Sequence, residues 1–218
     1  MGKSFPIQAI QTAYAMGQRA FGENYVQEGE LKIAALAGLP GIEWHLIGPL
    51  QSNKSRAAGR SFAWVETIDR HPIAQRLSMA RDASQPPLNV CIQVNISGET
   101  TKHGVVPSTA LALAREVGRL PGLSLRGFMG IAQVADDSGP VRAQFQLLRE
   151  IYDAGRREGL ALDTLSMGMS SDFELAIAEG ATQLRIGSAL FGPRGPAGAD
   201  PHGPFDESAL KSPEVNRE

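Results

Sequence analysis

The sequence contains a single cysteine among its 218 residues, so no internal disulfide can form. That residue, Cys91, lies in the apolar stretch LNVCIQVNI, where a buried and unreactive thiol is expected. No run of 18 apolar residues is present, and the first 25 residues lack the charged start, apolar core and cleavage site of a secretion signal. These absences argue against a secreted disulfide scaffold and a membrane-spanning protein, and they favour a cytoplasmic protein.

An excess of positive charge is also lacking. The chain has 21 Lys and Arg residues against 23 Asp and Glu residues, a net charge of -2, so no basic surface for nucleic acid is expected. The four histidines, at positions 45, 71, 103 and 202, do not have the spacing with cysteine or acidic residues that a zinc site requires. With 42% hydrophobic and 20% charged residues, the composition indicates a soluble globular protein of one domain or a small pair.

Short apolar runs rich in β-branched and aromatic residues alternate with amphipathic segments along the chain. The amphipathic segments have helical spacing, as in Ile7, Ile10 and Tyr14 or in Val141, Phe145, Leu148 and Tyr152. This alternation predicts a parallel sheet with helices packed outside it. The predicted strands are AFGEN (20–24), IEWHLIG (42–48), FAWVETI (62–68), LNVCIQVNI (88–96), LSLRGFMGI (123–131), DTLSMG (163–168) and QLRIGS (183–188).

The number of predicted strands is seven, whereas a closed (β/α)8 barrel needs eight. The first recognisable element is a helix from about Pro6 to Met16, so the missing strand would be the first and would end at or before Lys3. We therefore expect a TIM-type α/β barrel whose strand 1 is largely missing from this chain, with two exposed sheet edges. An open doubly wound sheet is the alternative, although no G-x-G-x-x-G follows a first strand.

The composition changes near the end of the chain. From Gly192 onward the sequence is rich in Pro, Gly and charged residues and has almost no apolar periodicity. We expect residues 1–192 to form the barrel and residues 193–218 to form a disordered tail. An interaction segment is the alternative interpretation of the tail.

Polar side chains close several of the predicted strands. In a βα barrel the reacting groups collect at the carboxyl ends of the strands, so these side chains should converge on one face. Each of them taken alone is better explained as an ordinary loop residue, and His45 is best explained as a core or pocket-lining residue. The strand ends supply Lys3, Asn24, His45, Asn95, Ser166 and Arg185.

The stretch LSMGMSSDFELAIAEGATQLRIGSALFG (165–192) contains two helix starts that each follow a strand. Ser170 precedes the first helix, and Gly187 and Ser188 open the second. Unpaired backbone N–H groups and the helix dipole both favour an anion at such positions, and barrel enzymes commonly bind phosphate there. Ordinary N-capping by Ser170 or Asp172 is the alternative, and it requires no ligand.

Lys3 and Arg185 would then have chemical roles. A partly desolvated lysine with a lowered pKa can form a Schiff base with an aldehyde cofactor. Arg185 could face the nitrogen of a pyridine ring whose phosphate lies on the Gly187–Ser188 turn, and its permanent charge would keep that nitrogen unprotonated. The alternatives are a solvated N-terminal lysine and a surface ion pair of Arg185.

Several motifs closely resemble those of the pyridoxal phosphate homeostasis proteins, the single-domain relatives of the alanine racemase barrel. They are FGENYVQE (21–28), WHLIGPLQSNKSR (44–56), NISGETTKHG (95–104) and the stretch 165–192, and the resemblance runs from about Lys3 to Phe191. GKSFP (2–6) is similar to the family's V-S-K-T-x-P motif, which implies that Lys3 is the Schiff-base residue. The resemblance further implies phosphate contacts from Ser170, Gly187 and Ser188, a ring-nitrogen contact from Arg185, and a place for Asn24 in the cofactor pocket.

The resemblance implies a non-catalytic protein that holds pyridoxal 5'-phosphate (PLP) as an internal aldimine on Lys3 and takes part in homeostasis of this vitamin B6 cofactor. The expected partners are PLP and the apo-enzymes that receive it, and the expected state is a monomer. One alternative is a PLP-dependent amino-acid racemase, which needs a second acid or base that alanine racemases take from an additional C-terminal domain. Another is an inactive truncated product, because family members carry a helix and a strand before their lysine.

Overall fold

The computed structural model describes residues 5–135 and 137–192. Strands and helices alternate through this part of the chain, as the sequence predicts. Two short 3-10 turns, at Ser52–Lys54 and Pro107–Thr109, precede the third and fifth helices. In chain order the elements are α1 (Ile7–Ala15), β1 (Ala20–Glu23), α2 (Val26–Ala35), β2 (Glu43–Leu46), α3 (Ser55–Ser61), β3 (Trp64–Ile68), α4 (His71–Ala80), β4 (Leu88–Val94), α5 (Ala110–Val117), β5 (Leu123–Gly130), α6 (Ser138–Arg157), β6 (Thr164–Met169), α7 (Phe173–Ala178), β7 (Gln183–Arg185) and α8 (Ser188–Phe191).

The described strands form one parallel sheet in which every strand pairs with its sequence neighbour, in the order β1 to β7. The sheet curls into a nearly closed barrel. This curvature is evident from side chains of distant strands that meet inside it: Gln183 of β7 donates to Glu66 of β3 at 2.5 Å. The predicted TIM-type barrel is confirmed, and the open doubly wound sheet is wrong because the strand order never reverses.

The two faces of the sheet carry different side chains because successive residues of a strand point to opposite sides. The outer face packs against the helices and forms the main hydrophobic core, with residues such as Phe21, Leu46 and Phe128 fully buried. A smaller apolar cluster of Trp64, Cys91 and Met129 is separate from that core. The expectation of a buried Cys91 thiol is confirmed, and burial raises its pKa well above the usual range.

The first described residues contact the last helix, α8, at the side of the barrel where β1 and β7 are the sheet edges. Within the described ranges, β1 and β7 do not pair with each other. The Phe5 ring stacks on the Phe191 ring of α8, with ring centroids 4.6 Å apart. The predicted helix over 6–16 is confirmed as α1. The predictions for Lys3 and for the tail of residues 193–218 concern positions outside the described residues.

The longest helix illustrates how local signals and packing agree. The Asp137 side chain accepts a hydrogen bond from the Gly139 N–H at 2.9 Å and so caps the start of α6. The four predicted core positions of this helix (Val141, Phe145, Leu148 and Tyr152) are all buried. Neither α6 nor any other helix in the described part of the chain is long and apolar enough to cross a lipid bilayer.

Candidate functional site

Arg185 ends β7 and is buried, with only 5% of its surface exposed. Its Nη1 donates to the Ser166 hydroxyl and its Nη2 to the Gly130 carbonyl, both at 2.7 Å. Burial lowers the pKa of Arg185, while the negative charges of Glu66 and Asp172 oppose this change. A guanidinium has only donors, so any further partner of Arg185 must present an acceptor. The alternative of a surface ion pair is wrong.

A fully buried carboxylate, Glu66 of β3, lies one hydroxyl group away from Arg185. Its Oε2 accepts from the Ser166 hydroxyl at 2.7 Å, and its Oε1 accepts from His45 Nδ1 at 2.7 Å and from Gln183 Nε2 at 2.5 Å. Burial raises the pKa of Glu66, but the hydrogen bond and charge of His45 and the charge of Arg185 outweigh that effect, so the pKa lies below its usual value. Glu66 is therefore an ionised, acceptor-only group inside the barrel.

His45 of β2 is buried, which confirms its expected place in the core or pocket lining. Its ring stacks on the Trp64 ring with centroids 5.0 Å apart and an interplanar angle of 8°. Because ionised Glu66 can only accept, His45 Nδ1 is the donor of this hydrogen bond. Among residues 5–135 and 137–192, no three His, Cys, Asp or Glu side chains come together to form a site for a metal ion.

Ser170 joins the two turns that follow β6 and β7. Its hydroxyl oxygen accepts from the Gly187 N–H at 3.1 Å and from the Ala189 N–H at 3.2 Å. Neither Ser170 nor Asp172 caps the start of α7 with its side chain. The Asp172 carboxylate accepts instead from the Met169 N–H. Side-chain capping of α7 is therefore wrong for both residues, whereas Ser170 binds N–H groups at the start of the following helix, α8.

The start of α8 provides the second half of this turn pair. Gly187 is buried and occupies the N-cap position of α8, and Ser188 is its first residue and is exposed. The N–H groups of Gly187 and Ala189 converge on one oxygen atom, that of Ser170. Because both N–H groups are already bound to Ser170, a phosphate here would accept from the Ser170 hydroxyl proton or would replace the Ser170 oxygen at the two N–H groups.

Asn24 follows β1 and lines a cavity of about 230 Å³, together with Ile47, Gly48, Gln93 and Ile131 among others. The chain passes unusually close to itself here, because a Cβ atom on Gly48 would lie 2.1 Å from the backbone oxygen of Asn24. Glycine at position 48 therefore allows the ends of β1 and β2 to approach each other.

The loop after β4 contributes Thr101, Lys102 and His103 to the same cavity. Asn95 organises this loop, since its Nδ2 donates to the Glu99 carbonyl at 2.8 Å and its Oδ1 accepts from the Gly98 N–H at 3.1 Å. Asn95 is thus a strand-end residue whose side-chain amide serves the loop conformation.

The predicted site residues fall into two groups. Ser170, Gly187 and Ser188 lie together, and Arg185 is two residues from Gly187 on the same strand end. Asn24 and Ile131 both line the cavity. Ile131 directly follows Gly130, whose carbonyl accepts from Arg185, so the cavity and Arg185 are connected through this strand end. Lys3 lies outside the described residues.

Sequence reasoning missed Glu66 and Gln183, which hydrogen-bond to each other inside the barrel. A signal for both was available. Glu66 is a charged residue within an apolar strand, and Gln183 is two positions from Arg185, so the two side chains share one face of β7.

Comparison with known proteins gives consistent results. The family model described as "Alanine racemase, N-terminal domain" matches residues 5–195. The chain is 52% identical over 194 residues to the pyridoxal phosphate homeostasis protein of Pseudomonas aeruginosa, covering 89% of this chain and 83% of that protein. It is 50% identical over 199 residues to the protein of the same name from Escherichia coli, with 89% and 84% covered.

Solved structures show the same fold. The PLP-bound structure of PipY from Synechococcus elongatus superposes with a TM-score of 0.80 at 39% identity, covering 88% of this chain and 90% of that chain. An alanine racemase from Clostridium difficile superposes with a TM-score of 0.72 at 12% identity and covers 88% of this chain but 49% of that chain. The second match concerns the fold alone.

Proposed function

The chain belongs to the family of pyridoxal phosphate homeostasis proteins, within the alanine racemase N-terminal-domain family, and we propose on that basis that it binds PLP and takes part in PLP homeostasis. The observation that carries the proposal is the convergence of a buried arginine and a donor-rich turn pair at one end of the barrel. Arg185 has no carboxylate within 4.0 Å in the described part of the chain, and Ser170 and Gly187 provide the adjoining turns.

The residues present fit the cofactor. The Ser170 hydroxyl and the N–H groups at the start of α8 would hold the phosphate, and Arg185 would donate to the ring nitrogen. Asn24 would line the pocket from the side of β1. When bound, PLP supplies an aldehyde that an amine can attack. A guanidinium facing the ring nitrogen keeps it unprotonated, which weakens the ring as an electron sink and suits binding better than carbanion chemistry.

Lys3 is the residue we propose for covalent attachment of the aldehyde. The resemblance of GKSFP to the family's lysine motif supports this role, and Phe5 of the same motif stacks on Phe191 of α8, the helix whose first residues we assign to the phosphate.

We propose a non-catalytic role, in which a monomer holds PLP and passes it to apo-enzymes. The name of the curated relatives supports this role over that of an amino-acid racemase. Size-exclusion chromatography and reactivation of an apo-enzyme by the loaded protein test the oligomeric state and the transfer.

The central experiment is PLP binding by the purified protein. Incubation with PLP should give an absorbance band distinct from that of the free aldehyde. The band should be lost in Lys3→Ala and retained in Lys54→Ala, which removes a lysine from a turn outside the proposed site. Absence of the band in the wild-type protein, or its persistence in Lys3→Ala, would overturn the assignment. Racemisation of alanine at an enzyme-like rate would overturn the non-catalytic role.

A further inference from the structure

Arg185 is held inside the barrel at two points of different character. One is the Gly130 carbonyl, a backbone group that no side-chain substitution removes. The other is the Ser166 hydroxyl, which accepts from Arg185 Nη1 and donates to Glu66 Oε2, each at 2.7 Å. The orientation of the guanidinium in its plane therefore depends on whether the Ser166 hydroxyl presents its lone pairs or its proton.

Glu66 determines the orientation of the Ser166 hydroxyl. Its Oε1 is already bound by two donors, His45 Nδ1 and Gln183 Nε2, so Oε2 is the oxygen left for Ser166. A carboxylate oxygen can only accept, and the single hydroxyl proton of Ser166 is therefore directed at Glu66. The lone pairs of Ser166 remain available to Arg185. The four groups lie on β2, β3, β6 and β7, which fixes the carboxylate against rotation.

We propose that Glu66 is a positioning residue that acts through the Ser166 hydroxyl and holds the Arg185 guanidinium ready for an acceptor atom on the ring of a bound cofactor. This inference rests on the proposed function. It extends that function by assigning the selectivity for a ring nitrogen to a carboxylate that does not itself contact the ring.

The Glu66→Gln variant tests the inference because it keeps the size of the side chain. His45 and Gln183 would retain the amide oxygen, so the amide NH2 would replace Oε2 and donate to Ser166. That donor competes with Arg185 for the lone pairs of Ser166 and turns the hydroxyl proton away from its present direction. Ser166→Ala removes the connection and leaves the carboxylate in place. Tyr152→Phe is the control, since it removes a buried hydrogen bond to the Leu162 carbonyl on the outer layer.

The measured quantity is the ratio of two dissociation constants: that of a carbocyclic PLP analogue, in which a C–H group replaces the ring nitrogen, and that of PLP. We expect a ratio of roughly tenfold or more in the wild-type protein, the usual contribution of a hydrogen bond to a charged group. The ratio should fall towards one in Glu66→Gln and Ser166→Ala. It should be unchanged in Tyr152→Phe, even though thermal unfolding of the ligand-free control shifts to lower temperature.

The outcomes separate the two proposals. Failure of the wild-type protein to bind PLP defeats the proposed function. A wild-type ratio near one, or a wild-type ratio that persists in folded Glu66→Gln or Ser166→Ala, overturns the positioning role and leaves PLP binding intact. If Glu66→Gln does not fold, as shown by thermal unfolding of the ligand-free protein, Ser166→Ala decides the question alone.

Discussion

Glu23 is the residue through which pH should change the stability of this protein most directly. It ends β1, immediately before Asn24, and its side chain lies between the sheet and α2. One carboxylate oxygen binds Lys32 Nζ at 3.0 Å. The other oxygen has no hydrogen-bond partner within the described residues. Glu23→Gln is the informative substitution because it keeps the shape of the side chain and removes its titration.

Burial raises the pKa of Glu23 from 4.5 to about 7, and the charge and hydrogen bond of Lys32 offset only part of that rise. The folded state therefore holds the proton more tightly than the unfolded state does. The resulting stabilisation is complete below about pH 4.5 and is lost as pH rises through about 7. A pKa shift of this size corresponds to about 3 kcal/mol of unfolding free energy.

Urea unfolding of the ligand-free protein at pH values from about 5 to 8 measures the effect. The unfolding free energy of Glu23→Gln relative to the wild-type protein should increase by about 3 kcal/mol across this range, because only the wild-type protein must ionise a buried carboxyl. Glu28→Gln is the matched control: Glu28 also binds Lys32, at 2.9 Å, but its side chain is one-third exposed. The difference between that variant and the wild-type protein should change much less with pH, because the charge of Glu28 contributes less to the pKa of Glu23 than burial does.

A constant or shrinking difference between Glu23→Gln and the wild-type protein would refute the reasoning. It would mean that the ion pair with Lys32 compensates the burial of Glu23 in full, so that the carboxylate remains charged throughout the range. A pH-dependent difference of the same size in Glu28→Gln would also contradict it, because the effect would then belong to Lys32.

Two further predictions concern the turns of the site. Ser170→Ala removes the hydroxyl that joins the two turns and should weaken PLP binding about tenfold in a spectroscopic titration. Ser171→Ala, a change at the exposed neighbouring residue, is the control. Equal affinities of the two variants for PLP would contradict a phosphate-binding role of Ser170. Gly48→Ala places a Cβ atom 2.1 Å from the Asn24 backbone and should lower the unfolding free energy by about 3 kcal/mol or more. Gly38→Ala, with open space around it, should be nearly neutral in the same denaturation assay, and equal losses would disprove the close approach.

The barrel could be predicted because its signals are local. Each apolar run became a strand within two or three residues of its predicted ends, as for 88–96 and the observed Leu88–Val94. Alternation with helical spacing then left few topologies to consider. Ser170, Gly187 and Ser188 are predicted as site residues for the same reason, since a small or hydroxyl residue at a helix start has a direct effect on the nearest backbone N–H groups.

The role of each of these residues was less predictable. Ser170 and Asp172 are good capping residues by type, but neither caps α7 in the structure. The hydroxyl of Ser170 instead binds the N–H groups of Gly187 and Ala189, about one helix and one strand further along the chain. Whether such a side chain binds a neighbouring or a distant backbone N–H group depends on the three-dimensional arrangement of the turns, which the residue type alone does not reveal.

The sequence by itself determined the parallel α/β barrel and the residues that would face its carboxyl end, because both follow from the periods of strand and helix. Only the tertiary structure decided which interior groups pair. Glu66 and Ser166 are 100 residues apart, and Arg185 lies 55 residues from the Gly130 carbonyl that it binds. These contacts form because the curled sheet brings four strands around one buried carboxylate, which must find donors once it is removed from water.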